Sequence, residues 1–193
     1  MPSPFFGGTF LPHSCDHENL LHQHVKNMMI TIRPATVSDI PLIRSLAEVV
    51  FPATYEPLLP AGQVGYMMAW MYSVESLQRQ MAEGHTYYIA YADDTPCGYL
   101  SIEQQATSLF HLQKIYVLPD FQGRGVGEQL FQQAVTHVRK AAELPAWIEL
   151  NVNRENRAVG FYLRMGMERL RTVDVEIGEG FYMNDYIMGL QIQ

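Results

Sequence analysis

The sequence predicts an α/β domain with a mixed sheet, and three observations carry that prediction. Its 193 residues, 48% hydrophobic and 17% charged, suffice for one sizeable core and not comfortably for two. Stretches with the period of a strand alternate along the chain with stretches of helical period. The run from Leu112 to Phe131 reads as a strand, a turn at Pro119, three glycines at alternate positions and an amphipathic helix. We see no internal repeat.

The elements follow in order. Residues 29–33 alternate like a strand that Pro34 ends. Thr36-x-x-Asp39 is a capping pattern before Ile40, Leu42, Ile43, Leu46, Val49 and Val50, which recur at helical spacing. Phe51-Pro52 is expected to break that helix. A second helical stretch covers about 63–83, with an interruption near Ser73. Strands follow at 85–92, 97–105 and 109–118, the first two joined by the turn Asp93-Asp94-Thr95-Pro96. A helix over about 125–142 places Leu130, Phe131, Ala134, Val135 and Val138 on one face. Residues 146–152 alternate as a central strand. A short helix over 155–165 stops at Gly166, and strands at 167–176 and 181–191 close the chain.

Composition excludes several functions. Thirteen Lys and Arg face twenty Asp and Glu, a net charge of -7, which argues against binding nucleic acid by neutralising phosphates. Cys15 and Cys97 lack metal or disulfide spacing, so a reduced cytoplasmic setting is expected. No apolar run approaches the ~18 residues of a membrane span. Residues 1–27 differ from the rest: they are rich in Pro and Gly and hold His13, His17, His22 and His24. No signal-peptide pattern is present there. A metal set from those histidines with Cys15 and Asp16 competes with a solvated or docked extension, or an upstream translation start ahead of Met28 or Met29. The extension is the expected reading, with the domain at 28–193 and no metal.

The glycine stretch is a place for phosphate. Gly123, Gly125 and Gly127 remove side chains where helical periodicity begins. The first helical amides have no partner inside the helix, and its dipole favours negative charge there. A P-loop needs Gly-Lys-Ser or Gly-Lys-Thr at its end, where this chain has Gly127-Glu128-Gln129. The dinucleotide fingerprint G-x-G-x-x-G puts Glu128 or Leu130 in place of its last glycine.

What fits is Gln122-Gly-Arg-Gly-Val-Gly127, the pattern Q/R-x-x-G-x-G/A. With the strand Lys114–Pro119 before it, and Asn153, Asn156, Ala158, Phe161-Tyr162 and Gly166-Met167 after it, the chain resembles the GNAT superfamily of acyl-CoA-dependent N-acetyltransferases over about 29–191. The resemblance implies a mixed, mostly antiparallel sheet of about seven strands and four helices, with strands diverging at the acyl-CoA site. It implies acetyl-CoA as cosubstrate, its pyrophosphate on the amides of Gln122, Gly123, Arg124, Gly125, Val126 and Gly127. Arg124 would add charge, or else serve as an ordinary exposed salt-bridging arginine. The backbone of Tyr116 and Val117 would pair with the pantetheine arm as an added strand. Asn156 would hydrogen-bond the same arm, cap a helix, or do both.

The implied reaction is direct attack of a neutral amine on the thioester through a tetrahedral intermediate, with the oxyanion on a backbone amide such as that of Val117 and the thiolate protonated by Tyr162. A free amine is about 10⁻³ neutral at pH 7, so a base is required. Many relatives carry a glutamate eleven residues before the motif glutamine. Here His111 stands there, either as base or as a surface histidine, with Glu103 and Glu149 in reserve. Acceptor-side positions offer Tyr55, Glu56, Tyr66, Trp70 and Tyr72, then Asp174, Glu176, Glu179, Tyr182 and Asp185. Aromatics and carboxylates suit a small cationic amine, and the 51–81 pattern resembles polyamine-acetylating relatives. The alternatives are a protein N-terminus or lysine as acceptor, and a non-catalytic acyl-CoA sensor. Family members commonly dimerise through the last strands, and a homodimer is expected here.

Overall fold

A computed structural model describes residues 28–193. The expectations for residues 1–27, the histidine cluster included, lie outside the described residues. Strands β1 (Ile30–Pro34), β2 (Thr86–Ala92), β3 (Thr95–Ala106), β4 (Leu109–Val117), β5 (Ala146–Asn153), β6 (Glu168–Gly178) and β7 (Phe181–Ile192) form one sheet. Their order is β1-β2-β3-β4-β5-β7-β6. Helices α1 (Ile40–Tyr55), α2 (Gln63–Tyr72) and α3 (Val74–Ala82) precede β2; α4 (Val126–Ala141) and α5 (Ala158–Arg164) flank β5.

Each face of the sheet has its own core. On one, Leu130, Phe131, Ala134, Val135 and Val138 of α4 are buried against Phe110, Leu112, Ile148, Leu150 and Met188. On the other, Ile43, Val50 and Phe51 of α1 and Leu77 of α3 pack on Tyr87, Ile89 and Tyr99. The helical period of the first group and the alternation of the strands are what the sequence displays.

Two boundaries differ from expectation, at Pro52 and at the start of α5, while the break at Ser73 falls where the sequence places it. Pro52 does not end α1. It removes one intrahelical donor, while the fully buried Phe51 packs on Tyr55, Tyr72 and Tyr116 at centroid distances of 4.5, 5.6 and 6.1 Å. That packing outweighs the lost bond. The interruption at Ser73 divides the second helical stretch in two, because the Ser73 hydroxyl caps α3 by accepting from the Ser76 N–H at 3.1 Å. The described residues therefore hold five α-helices rather than about four. Finally, α5 starts at Ala158 because Asn153 Oδ1 takes the Glu155 N–H (3.0 Å) and Asn156 Oδ1 takes the Ala158 N–H (2.9 Å).

One pairing is unlike the rest. All neighbours are antiparallel except β4 and β5, which run parallel and pair only at Leu109↔Trp147, Phe110↔Ile148 and His111↔Glu149. Beyond His111, β4 stays with β3 as far as Gly98↔Val117, while β5 stays with β7. The sheet splits there.

Candidate active site

The split makes a cleft of about 780 Å³. Its walls are the diverging ends of β4 and β5, and its ends are formed by the glycine turn and by residues 53–58 of α1 and the loop after it. Glycine is favoured at the turn, since Gly123 and Gly125 have φ of +72° and +83°. Gly125 is the N-cap of α4, so the unpaired amides of that helix's first turn open toward the cleft. Arg157, Arg164 and Lys114 line it together with Glu128 and Glu155, so the helix amides and a slight excess of cationic side chains both suit an anion. Arg124 and Val126 are not among the lining residues; the Arg124 guanidinium lies 5.7 Å from the Phe121 ring centroid.

Gln122 ties the turn to its surroundings. Its Nε2 donates to the Val117 carbonyl (3.0 Å), and its Oε1 accepts from Arg157 (3.0 Å). On β4 the Leu118 N–H donates to the Cys97 carbonyl (2.8 Å). By strand alternation the backbone groups of Tyr116 and Leu118 face β3, and those of Ile115 and Val117 face the cleft. The expectation that Tyr116 and Val117 both offer backbone to an added strand is corrected accordingly. Val117 does, with Ile115, whereas Tyr116 is paired to Tyr99 and brings its side chain instead.

Close packing of β3 on β4 depends on Gly98. A Cβ there would lie 2.6 Å from the Tyr116 carbonyl oxygen and 3.3 Å from Val117 Cα. Gly98→Val is expected to cost about 1–3 kcal/mol by denaturant unfolding and to weaken acyl-CoA binding, because relief requires β4 to move into the cleft. An unchanged unfolding midpoint contradicts this.

Behind the cleft stands a cluster of phenols. The Tyr55 and Tyr116 hydroxyls are 3.2 Å apart. Burial raises the pKa of Tyr55, Tyr116 and Tyr162, and the nearby Tyr55 raises Tyr162 further. The Tyr162 ring meets that of Phe161 edge to face (5.3 Å). Its hydroxyl makes no hydrogen bond among the described residues, yet it is not sealed off, and the residue lines the cleft. Asn156, buried, lines the same cleft.

His111 is not among the lining residues, which on β4 begin at Leu112. It lies at the last paired position, between Glu103 on β3 and Glu149 on β5. Burial lowers its pKa, against the pull of those carboxylates. Glu149 is held by Arg171 (2.9 Å), and Glu103 by Gln113 (2.9 Å) with His85 at 3.6 Å. The three residues considered as bases therefore stand in one row at the root of the split. A bulge at Gln113 turns Lys114 and Tyr116 to the α1–α3 face. Buried Lys114 donates to Gln80 Oε1 (2.7 Å) over the rings of Tyr72 and Tyr87, and burial lowers its pKa to about 8.

The expected acceptor-side residues scatter. Tyr55 lines the cleft, and Tyr182 lines a neighbouring pocket of about 300 Å³ that shares Leu58 and Glu155 with it. Tyr72 is core, Tyr66 donates to the Ile177 carbonyl (2.6 Å), and Trp70 is exposed. Asn151 is a lining residue that the sequence reading missed. The alternation of β5 holds its signal, since Ile148, Leu150 and Val152 are core and Asn151 must face the other way.

The family model described as the acetyltransferase (GNAT) domain matches residues 63–185. The chain belongs to the GNAT acetyltransferases. Over 79 residues it is 37% identical to an uncharacterized N-acetyltransferase of Methanocaldococcus jannaschii, covering 40% of this chain and 33% of that one. Over 102 residues it is 28% identical to the peptidyl-lysine N-acetyltransferase YjaB of Salmonella typhimurium, covering 52% and 62%. The GNAT chain thus spans less than two thirds of the length of these curated relatives. The fold is that of the PaiA N-acetyltransferase from Thermoplasma acidophilum, solved with coenzyme A: TM-score 0.70, 23% identity, 85% of this chain and 99% of that one. No described helix is long and apolar enough to cross a membrane.

Proposed function

We propose that residues 28–193 transfer an acetyl group from acetyl-CoA to the amine of a small cationic acceptor such as a polyamine. The observation that carries this is the β4–β5 split, with bare helix amides at one end and the Tyr162 hydroxyl bordering it. Acetyl-CoA supplies the activated acetyl thioester. The amides of residues 123–127 hold its phosphates, with Arg124 beside them and the Gln122 N–H engaged by the Pro119 carbonyl (3.2 Å), while the outward edge of Val117 and the Asn156 side chain hold its arm. The Val117 N–H is the donor for charge on the thioester oxygen.

Tyr162 keeps its proton because burial raises its pKa, so a proton is ready as charge builds on the departing sulfur. His111 is neutral near pH 7 because burial lowers its pKa, and it takes the amine's proton through water. Protonation silences it, so kcat/KM should fall on acidification along a limb below the ordinary imidazole value of about 6.5. His111→Ala is expected to remove that limb; an unchanged pH profile eliminates His111 as the base.

Aromatic and carboxylate side chains at Tyr55, Tyr182 and Asp185 favour a cationic acceptor. A peptidyl lysine is the second reading, favoured by the relative named for that activity. Rates with free polyamines against lysine peptides separate the two. A cytoplasmic setting and a homodimer complete the proposal. The exposed edge strand β6, with Leu170 and Val175 at its surface, supports the latter, and sedimentation of the purified chain tests it.

A further inference from the structure

Asp185 is a charge without a charged partner. It lies on β7 opposite Asn153 and is 4% exposed. Among the described residues it pairs with no cation, because Arg154 is engaged with Asp174. Its hydrogen bond comes from Asn151 Nδ2, at 3.2 Å. Burying a carboxylate this way is costly, and burial raises its pKa against that bond and Arg154.

The bond has a consequence for Asn151. An ionised carboxylate only accepts, so the Asn151 amide must turn its NH₂ toward Asp185. Its carbonyl Oδ1 is then the free end. That oxygen has no donor among the described residues and is not sealed in the interior, and Asn151 lines the cleft. Tyr55, from α1, lines the same cleft with its hydroxyl on Tyr116. This part of the cleft therefore offers a hydrogen-bond acceptor backed by a negative charge.

We propose that Asn151 receives an N–H of the acceptor amine on Oδ1, and that Asp185 is the positioning residue that orients the Asn151 amide and, by its charge, favours cationic primary amines. This rests on the acetyltransferase reading above. It deepens that reading by naming the residue that touches the acceptor.

The test starts from the amine that the wild-type chain acetylates fastest. Asn151→Ala should raise the KM for that amine at least tenfold, with the KM for acetyl-CoA within about twofold. Calorimetry with coenzyme A present should show the same loss of amine affinity, which a lesion confined to turnover would not produce. Asp185→Asn should raise the amine KM less. The exchange Asn151→Asp with Asp185→Asn should recover most of the loss, because an amide donor again faces a carboxylate whose second oxygen reaches the cleft. Thermal melting of each variant separates misfolding from lost binding, and Asn151→Ser replaces the alanine variant if that one unfolds. An amine KM and affinity unchanged in Asn151→Ala, with active wild type, overturn the contact alone. If wild type acetylates no amine, the reading of the function falls and the contact with it.

Discussion

Tyr162→Phe is expected to lower kcat by about 10²- to 10⁴-fold, the range for removing a positioned proton donor, while acetyl-CoA affinity stays within a small factor. The two effects separate because of how Tyr162 is held. Its ring is buried against Phe161, and phenylalanine keeps that packing. Its hydroxyl makes no hydrogen bond among the described residues, so removing it orphans no partner and should hardly change stability. Rapid-quench turnover beside equilibrium binding reads both quantities. Unchanged turnover eliminates Tyr162 as the acid, and a large loss of binding would mean that it serves the cosubstrate instead.

Gly123→Asp is expected to weaken coenzyme A binding by about one to two orders of magnitude, with Gly123→Asn close to wild type. A Cβ at Gly123 meets nothing within 4 Å. Its left-handed backbone, φ +72°, is one that Asp and Asn tolerate better than other side chains. Both variants should therefore fold, and they differ only in charge. A carboxylate about 4 Å from a phosphate costs roughly 4 kcal/mol at an effective dielectric of 20. Solvent at this surface turn reduces that to the factor given. Titration calorimetry of the two variants checks it. Equal affinity would mean that the helix start does not hold the phosphates.

Much of this site is legible in the chain because it is local. The glycine turn, the helix behind it and the capping asparagines lie within a few residues of the groups they serve. Spacing alone then separates Gln122–Gly127 from the nucleotide-binding alternatives. The break at Ser73 is legible for the same reason, since a hydroxyl three residues from an amide makes a cap. Pro52 is not, because what carries α1 past it is Phe51 packing on Tyr72 and Tyr116, far away in sequence.

Register hides the rest. Which backbone groups of β4 face the cleft depends on the bond between Leu118 and Cys97, which turns the backbone of Tyr116 to β3. The row Glu103–His111–Glu149 exists only once three strands are aligned. Asn151 meets Asp185 across a pairing of residues 34 apart. Neither residue carries a motif that announces it.

The most direct test of the account is thiol release from acetyl-CoA by the purified chain, measured across free polyamines, other primary amines and lysine peptides. The account predicts release above the hydrolysis background with at least one cationic amine, matched by an acetylated product in mass spectrometry. Tight coenzyme A binding with no release across that panel would contradict it and leave a protein that senses or holds acyl-CoA without turning it over.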